Sequence, residues 1–153
     1  PPGVGKTEFA KALGQLYTEM GILSSNKFKK VTRSDLIAKY LGQTAIKTRD
    51  VIKEAKGGVL FIDEAYALGN SEKRDSFAKE CIDTLCEGLS DNKDDLMVII
   101  AGYEEELKSC FFNYSPLKFI VAARYSIVRL NRFIILAVLF VYLFRLFNYC
   151  FLF

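Results

Sequence analysis

The chain has 153 residues, of which 51% are hydrophobic and 25% charged, enough for one domain with a real core and too apolar for a disordered or fibrous chain. Its net charge of +3 hides an asymmetry: all 18 acidic residues lie in residues 1–116, while residues 117–153 hold five bases and no acid. No nucleic-acid partner is expected from that balance, and with no His imidazole catalysis and His-ligated metal are excluded.

The first helix is expected over residues 8–17, where Phe9, Ala12, Leu13, Leu16 and Tyr17 form one apolar stripe, ended by Gly21. Ser24-Ser25-Asn26 marks a loop. Val31-Thr32-Arg33 closes a short strand, and Ser34 caps a helical stretch through Tyr40. A second amphipathic helix covers residues 45–55, stopped by Gly57-Gly58. Val59-Leu60-Phe61-Ile62 is an apolar run suited to a strand buried on both faces. After a loop over residues 69–76, a third helix carries Phe77, Ile82, Leu85 and Leu89 on one side. Residues 96–101 form another buried strand, closed by Gly102. Strands separated by helices imply a parallel sheet covered on both faces.

After Pro116 the pattern changes: 29 of the last 37 residues are apolar, and residues 133–144 are uninterrupted apolar sequence. A membrane span needs about 20 such residues, reached here only by accepting Arg145 and Asn148. Three readings stand: read-through or a frameshift, a membrane anchor preceded by Arg124, Arg129 and Arg132, or ordinary core. The chain therefore divides into residues 1–116 and a hydrophobic tail, 117–153. Cys81, Cys86, Cys110 and Cys150 make no C-x-x-C pair, so they read as reduced thiols of an intracellular protein. The chain starts at Pro1 without a leader pattern, so it reads as a fragment with no signal peptide. Its place would be the cytoplasm or an organelle stroma, or a membrane reached through the tail.

Pro1-Pro2-Gly3-Val4-Gly5-Lys6-Thr7 matches G-x-x-x-x-G-K-[ST] with the first Gly falling before position 1. Gly3 and Gly5 free backbone N–H groups to surround phosphate oxygens. Lys6 reaches the β- and γ-phosphates, the Thr7 hydroxyl suits Mg²⁺, and the helix N-terminus faces the anion. The ATP-binding set is thus Pro2, Gly3, Val4, Gly5, Lys6, Thr7 and Glu8. The run ending in Asp63-Glu64 supplies the other half: Asp63 holds Mg²⁺ at a strand's C-terminal edge, and Glu64 polarises the attacking water. Lys6 and Glu64 are the catalytic candidates, with ATP and Mg²⁺ the cofactors.

Ser34-Asp35-Leu36, Tyr40-Leu41-Gly42-Gln43-Thr44-Ala45, Lys47-Thr48, the segment from Gly57 through Asp63-Glu64-Ala65-Tyr66, and Ala101-Gly102-Tyr103 closely resemble one branch of the AAA+ ATPases. That branch contains the stage V sporulation protein K-like ATPases, the red-type Rubisco activases and the type VII secretion ATPases. The resemblance covers about residues 1–115. It implies an α/β P-loop NTPase, a three-layer αβα parallel sheet truncated at its first strand. It also implies a hexameric homo-oligomeric ring that hydrolyses ATP and pulls on a protein client, with Tyr40, Leu41 and Gly42 as the pore loop. Tyr103 stands where most AAA+ proteins place a polar residue orienting the water, so it is the sensor candidate. After Phe111-Phe112-Asn113 no residue matches the family's arginine acting on the neighbouring subunit, and no helical lid is recognisable. That departure motivates a rival reading, a nucleotide-binding scaffold without effective turnover; a membrane-anchored ATPase is the third.

Overall fold

The structure, a computed structural model, describes residues 5–40, 42–69, 76–92, 94–103, 107, 125–130 and 133–138. Its elements in chain order are α1 (Lys6–Glu19), β1 (Phe28–Val31), α2 (Arg33–Leu36), α3 (Thr44–Ala55), β2 (Val59–Ile62), a 3-10 turn (Ala65–Gly69), α4 (Ser76–Asp91), β3 (Met97–Tyr103), β4 (Tyr125–Leu130) and β5 (Phe133–Val138). The sheet runs β1-β2-β3-β5-β4. β1, β2 and β3 are parallel, with Lys30 opposite Phe61 and Phe61 opposite Ile99. Helices lie between consecutive parallel strands because such strands need a crossover.

Alternation along the strands separates two cores. Val59, Phe61, Met97, Ile99 and Ala101 pack with Ala10, Leu13 and Tyr17 of α1. Leu60, Ile62, Val98 and Ile100 pack with Leu36, Val51, Ile52, Ile82, Leu85 and Leu89 from α2, α3 and α4. A sheet buried on both faces needs strands without polar positions, and all four residues of β2 are buried. The result is the expected α/β arrangement of three layers.

Three local expectations are corrected. The buried face of α1 is centred on Ala10 and Gly14, while Leu16 is 50% exposed. The reason is close approach: a Cβ at Gly14 would lie 2.6 Å from Val59 Cγ2, so small residues stand at the point of contact, with Phe9, Leu13 and Tyr17 of the expected stripe packed partly buried around it. β1 ends at Val31, and Thr32 rather than Ser34 precedes a helix of only one turn. The Asp35 carboxylate accepts from the Thr32 N–H (2.8 Å) and hydroxyl (2.9 Å), holding the turn's entry. These bonds, the backbone one first, keep the Asp35 carboxyl below its ordinary value. The turn stops where Ile37 becomes extended. Gly102 does not close β3, which continues to Tyr103 opposite Phe133 of β5.

Two strands from residues 117–153 join the same sheet. β5 pairs antiparallel with the outer edge of β3 from Val98 to Tyr103, and β4 pairs antiparallel with β5. The backbone N–H and C=O groups of that edge are thereby met. Among the described residues no helix is long and apolar enough to cross a membrane. Residues 139–153, which complete the apolar run, lie outside the described residues. Cys81 and Cys86 are buried and free on α4, whereas Cys110 and Cys150 lie outside the described residues. The Thr48 hydroxyl donates to the Leu36 carbonyl (3.0 Å) and sits 3.6 Å from Cys81 Sγ, tying α2, α3 and α4 together.

Candidate functional site

Two structural edges meet at the C-terminal end of β2. From one side comes the N-terminus of α1. Gly5 precedes it at φ 74°, ψ 7°, a left-handed conformation that glycine adopts at least cost. The turn closes when the Phe9 N–H donates to the Gly5 carbonyl at 2.8 Å. Earlier N–H groups of a helix have no partner within it, which makes a helix N-terminus of this kind suited to an anion. Lys6 and Thr7 stand in that first turn, both partly buried. Pro2, Gly3 and Val4 lie outside the described residues; Glu8 is exposed and its carboxylate accepts from Lys11 Nζ at 2.9 Å.

From the other side comes Asp63, one residue past β2. Its N–H donates to the Val31 carbonyl at 2.9 Å, continuing the β1–β2 ladder by one bond. Phe61 faces α1, and the two-residue period of a strand turns Asp63 to that same face. Lys6 Nζ accordingly lies 3.9 Å from Asp63 Oδ1, with both side chains more than four-fifths buried. Glu64 follows at φ 51°, the positive-φ non-glycine residue among those described, a conformation that is sterically costly. Its N–H donates to Asp63 Oδ1 at 3.1 Å. Strained backbone held by its surroundings clusters at functional sites.

Lys30, at the end of β1, was not signalled by either sequence motif. Its Nζ reaches Asp63 Oδ2 at 2.8 Å and lies 5.9 Å from the Phe61 ring centroid. The parallel register is what brings it there, since Lys30 opposes Phe61. The pattern that could have found it is a lysine near the end of a strand flanking the one that delivers Asp63.

The remaining candidates are dispersed. Tyr40 is 68% exposed on the segment between α2 and α3, Gly42 beside it has φ 80°, and the Gln43 N–H donates to the Tyr40 carbonyl at 3.3 Å. Leu41 lies outside the described residues. Tyr103 ends β3 half-exposed, its ring 6.1 Å from that of Tyr66.

The donor set fits a magnesium–nucleotide pair better than a caged ion. Asp63 and Thr7 offer hard oxygens, and magnesium characteristically takes one or two protein oxygens together with substrate phosphates. Among the described residues no cluster of three or more Cys, Asp or Glu side chains could hold a metal by itself.

A parallel sheet with a glycine-led helix N-terminus beside a strand-end aspartate defines the class of P-loop nucleotide-binding folds. Residues 1–113 match the ATPase family associated with various cellular activities (AAA), and the chain belongs to that family. It is 46% identical over 115 residues to stage V sporulation protein K of Bacillus subtilis, covering 75% of this chain and 35% of that one. Over the same length it is 44% identical to the chloroplastic ribulose bisphosphate carboxylase/oxygenase activase of Cyanidioschyzon merolae, covering 75% and 37%. It is 42% identical to protein CbbX of Cereibacter sphaeroides, again covering 75% and 37%. The chain spans about a third of the length of these relatives.

Proposed function

We propose that this chain carries the ATP-binding and ATP-hydrolysing core of a ring-forming motor that remodels a protein client. The carrying observation is the approach of Lys6 to Asp63 at 3.9 Å, which unites the two halves of the sequence pattern at one sheet edge. Residues 1–116 are the core in this reading and 117–153 a tail, a division supported by a family match that ends at residue 113.

In the reaction, Lys6 binds the β- and γ-phosphates by charge, while the first N–H groups of α1 orient them. Thr7 and Asp63 would hold Mg²⁺, which when bound neutralises charge on the phosphate oxygens. Glu64 orients the attacking water and accepts its proton as the bond to the γ-phosphorus forms; ADP leaves with the bridging oxygen. Tyr40, exposed beside Gly42, is suited to gripping a polypeptide by packing. The relative named as an activase supports a protein as the client. Membership of this ATPase family supports a ring-shaped homo-oligomer, six copies being what the resemblance implies.

Phosphate release with magnesium ATP, compared with Glu64→Gln, tests the reading. Turnover should fall roughly 10²- to 10⁴-fold while nucleotide binding persists. Unchanged turnover in the variant would contradict the role of Glu64, and nucleotide binding without any turnover in the parent would favour the scaffold reading.

A further inference from the structure

Asp63 has two oxygens, and each already has company. Oδ1 accepts the Glu64 N–H at 3.1 Å and faces Lys6 Nζ at 3.9 Å. Oδ2 is engaged by Lys30 Nζ at 2.8 Å, the shorter of the two lysine contacts. The Asp63 side chain is 17% exposed, whereas that of Lys30 is 46% exposed. A carboxylate so little hydrated needs a counter-charge. The lysine can return its ammonium to water while its stem stays on the protein. Lys30 is therefore a counter-ion that can be released cheaply.

We propose that Lys30 is a positioning residue that competes with the divalent cation for Asp63 and so sets the magnesium concentration at which nucleotide binds. The inference rests on the nucleotide reading above and deepens it. Lys30 holds the carboxylate in place by pairing with Oδ2 and must leave that oxygen when Asp63 takes up its metal. The Phe61 ring, its centroid 5.9 Å from Nζ, keeps the ammonium close, ready to return. An exposed or half-exposed pair contributes little, so the competition is modest: removing the ammonium should lower the required magnesium about two- to fivefold.

The test is binding of a fluorescent ATP analogue to the full chain, titrated with magnesium chloride. Lys30→Met retains the stem and loses the charge; Lys30→Arg retains the charge. Lys29→Met is the control, because Lys29 carries the same charge one residue away but pairs with Glu54 at 2.6 Å. The half-saturating magnesium should fall about two- to fivefold in Lys30→Met. It should stay at or above the parent value in Lys30→Arg and be unmoved in Lys29→Met. A half-point unchanged or raised in Lys30→Met overturns the proposal, as does an equal fall in Lys29→Met, which would mark a general effect of net charge. If the parent chain binds the analogue equally with and without magnesium, this proposal fails while the nucleotide reading stands; if it binds no analogue at any magnesium concentration, the nucleotide reading itself fails. Urea midpoints separate a folding defect, which would weaken analogue binding at every magnesium concentration instead of shifting the half-point.

Discussion

Gly14→Ala should change sign with its neighbour. The new Cβ would lie 2.6 Å from Val59 Cγ2 and 3.6 Å from Val59 Cβ, whereas carbon atoms rest at about 3.5–4.0 Å. Val59 is 1% exposed, so it has no solvent to move into. Overpacking of this kind costs about 1–3 kcal/mol, against roughly 1 kcal/mol gained by replacing glycine in a helix. Gly14→Ala alone should therefore destabilise by about 0–2 kcal/mol. In a Val59→Ala background Cγ2 is gone and the remaining contact is ordinary. There Gly14→Ala should stabilise by roughly 1 kcal/mol, a coupling of about 1–3 kcal/mol across the pair. Urea unfolding of the parent, both single variants and the double variant measures it. The same site should report functionally, because α1 begins at Lys6: Gly14→Ala should weaken nucleotide binding and the double variant should recover it. An effect of equal sign and size in both backgrounds would refute the close approach of α1 to β2.

Asp35→Ala should cost about 1 kcal/mol by removing the acceptor at the start of α2. The Asp35 carboxyl is held below its ordinary 3.8, so its contribution is complete above that value. It is lost as pH falls through the lowered one, and the parent–variant gap in urea midpoint should close in acid. Burial pushes the thiols of Cys81 and Cys86 up from 9.0 to about 11, which keeps them protonated and slow to alkylate at pH 8. Mass spectrometry of labelled peptides should find both protected in the native chain and modified in urea. Their contribution to stability should be complete below pH 9 and decline as pH rises towards 11.

What could be read from the residues follows from how local each cause is. β2 was legible because Val59 to Ile62 are apolar without exception and turn signals flank them. Lys6 and Asp63 were each legible from a short pattern, and the sheet brings them within 3.9 Å. The face of α1 was legible at Phe9, Leu13 and Tyr17, but its centre was missed because periodicity weighs large side chains, while the contact with Val59 selects the smallest. The single turn of α2 depends on hydrogen bonds between Thr32 and Asp35, which a stripe of apolar residues does not announce. Lys30 was invisible for a different reason: its partner is 33 positions away and is set by strand register alone.

Calorimetric titration of magnesium ATP into the chain, with Lys6→Ala as the comparison, tests the central claim most directly. A charge-assisted bond to phosphate is worth about 1.5–3 kcal/mol, so the variant should bind roughly 10- to 150-fold more weakly than the parent. Equal affinity in the two would contradict the claim that α1 and the end of β2 together form a phosphate site.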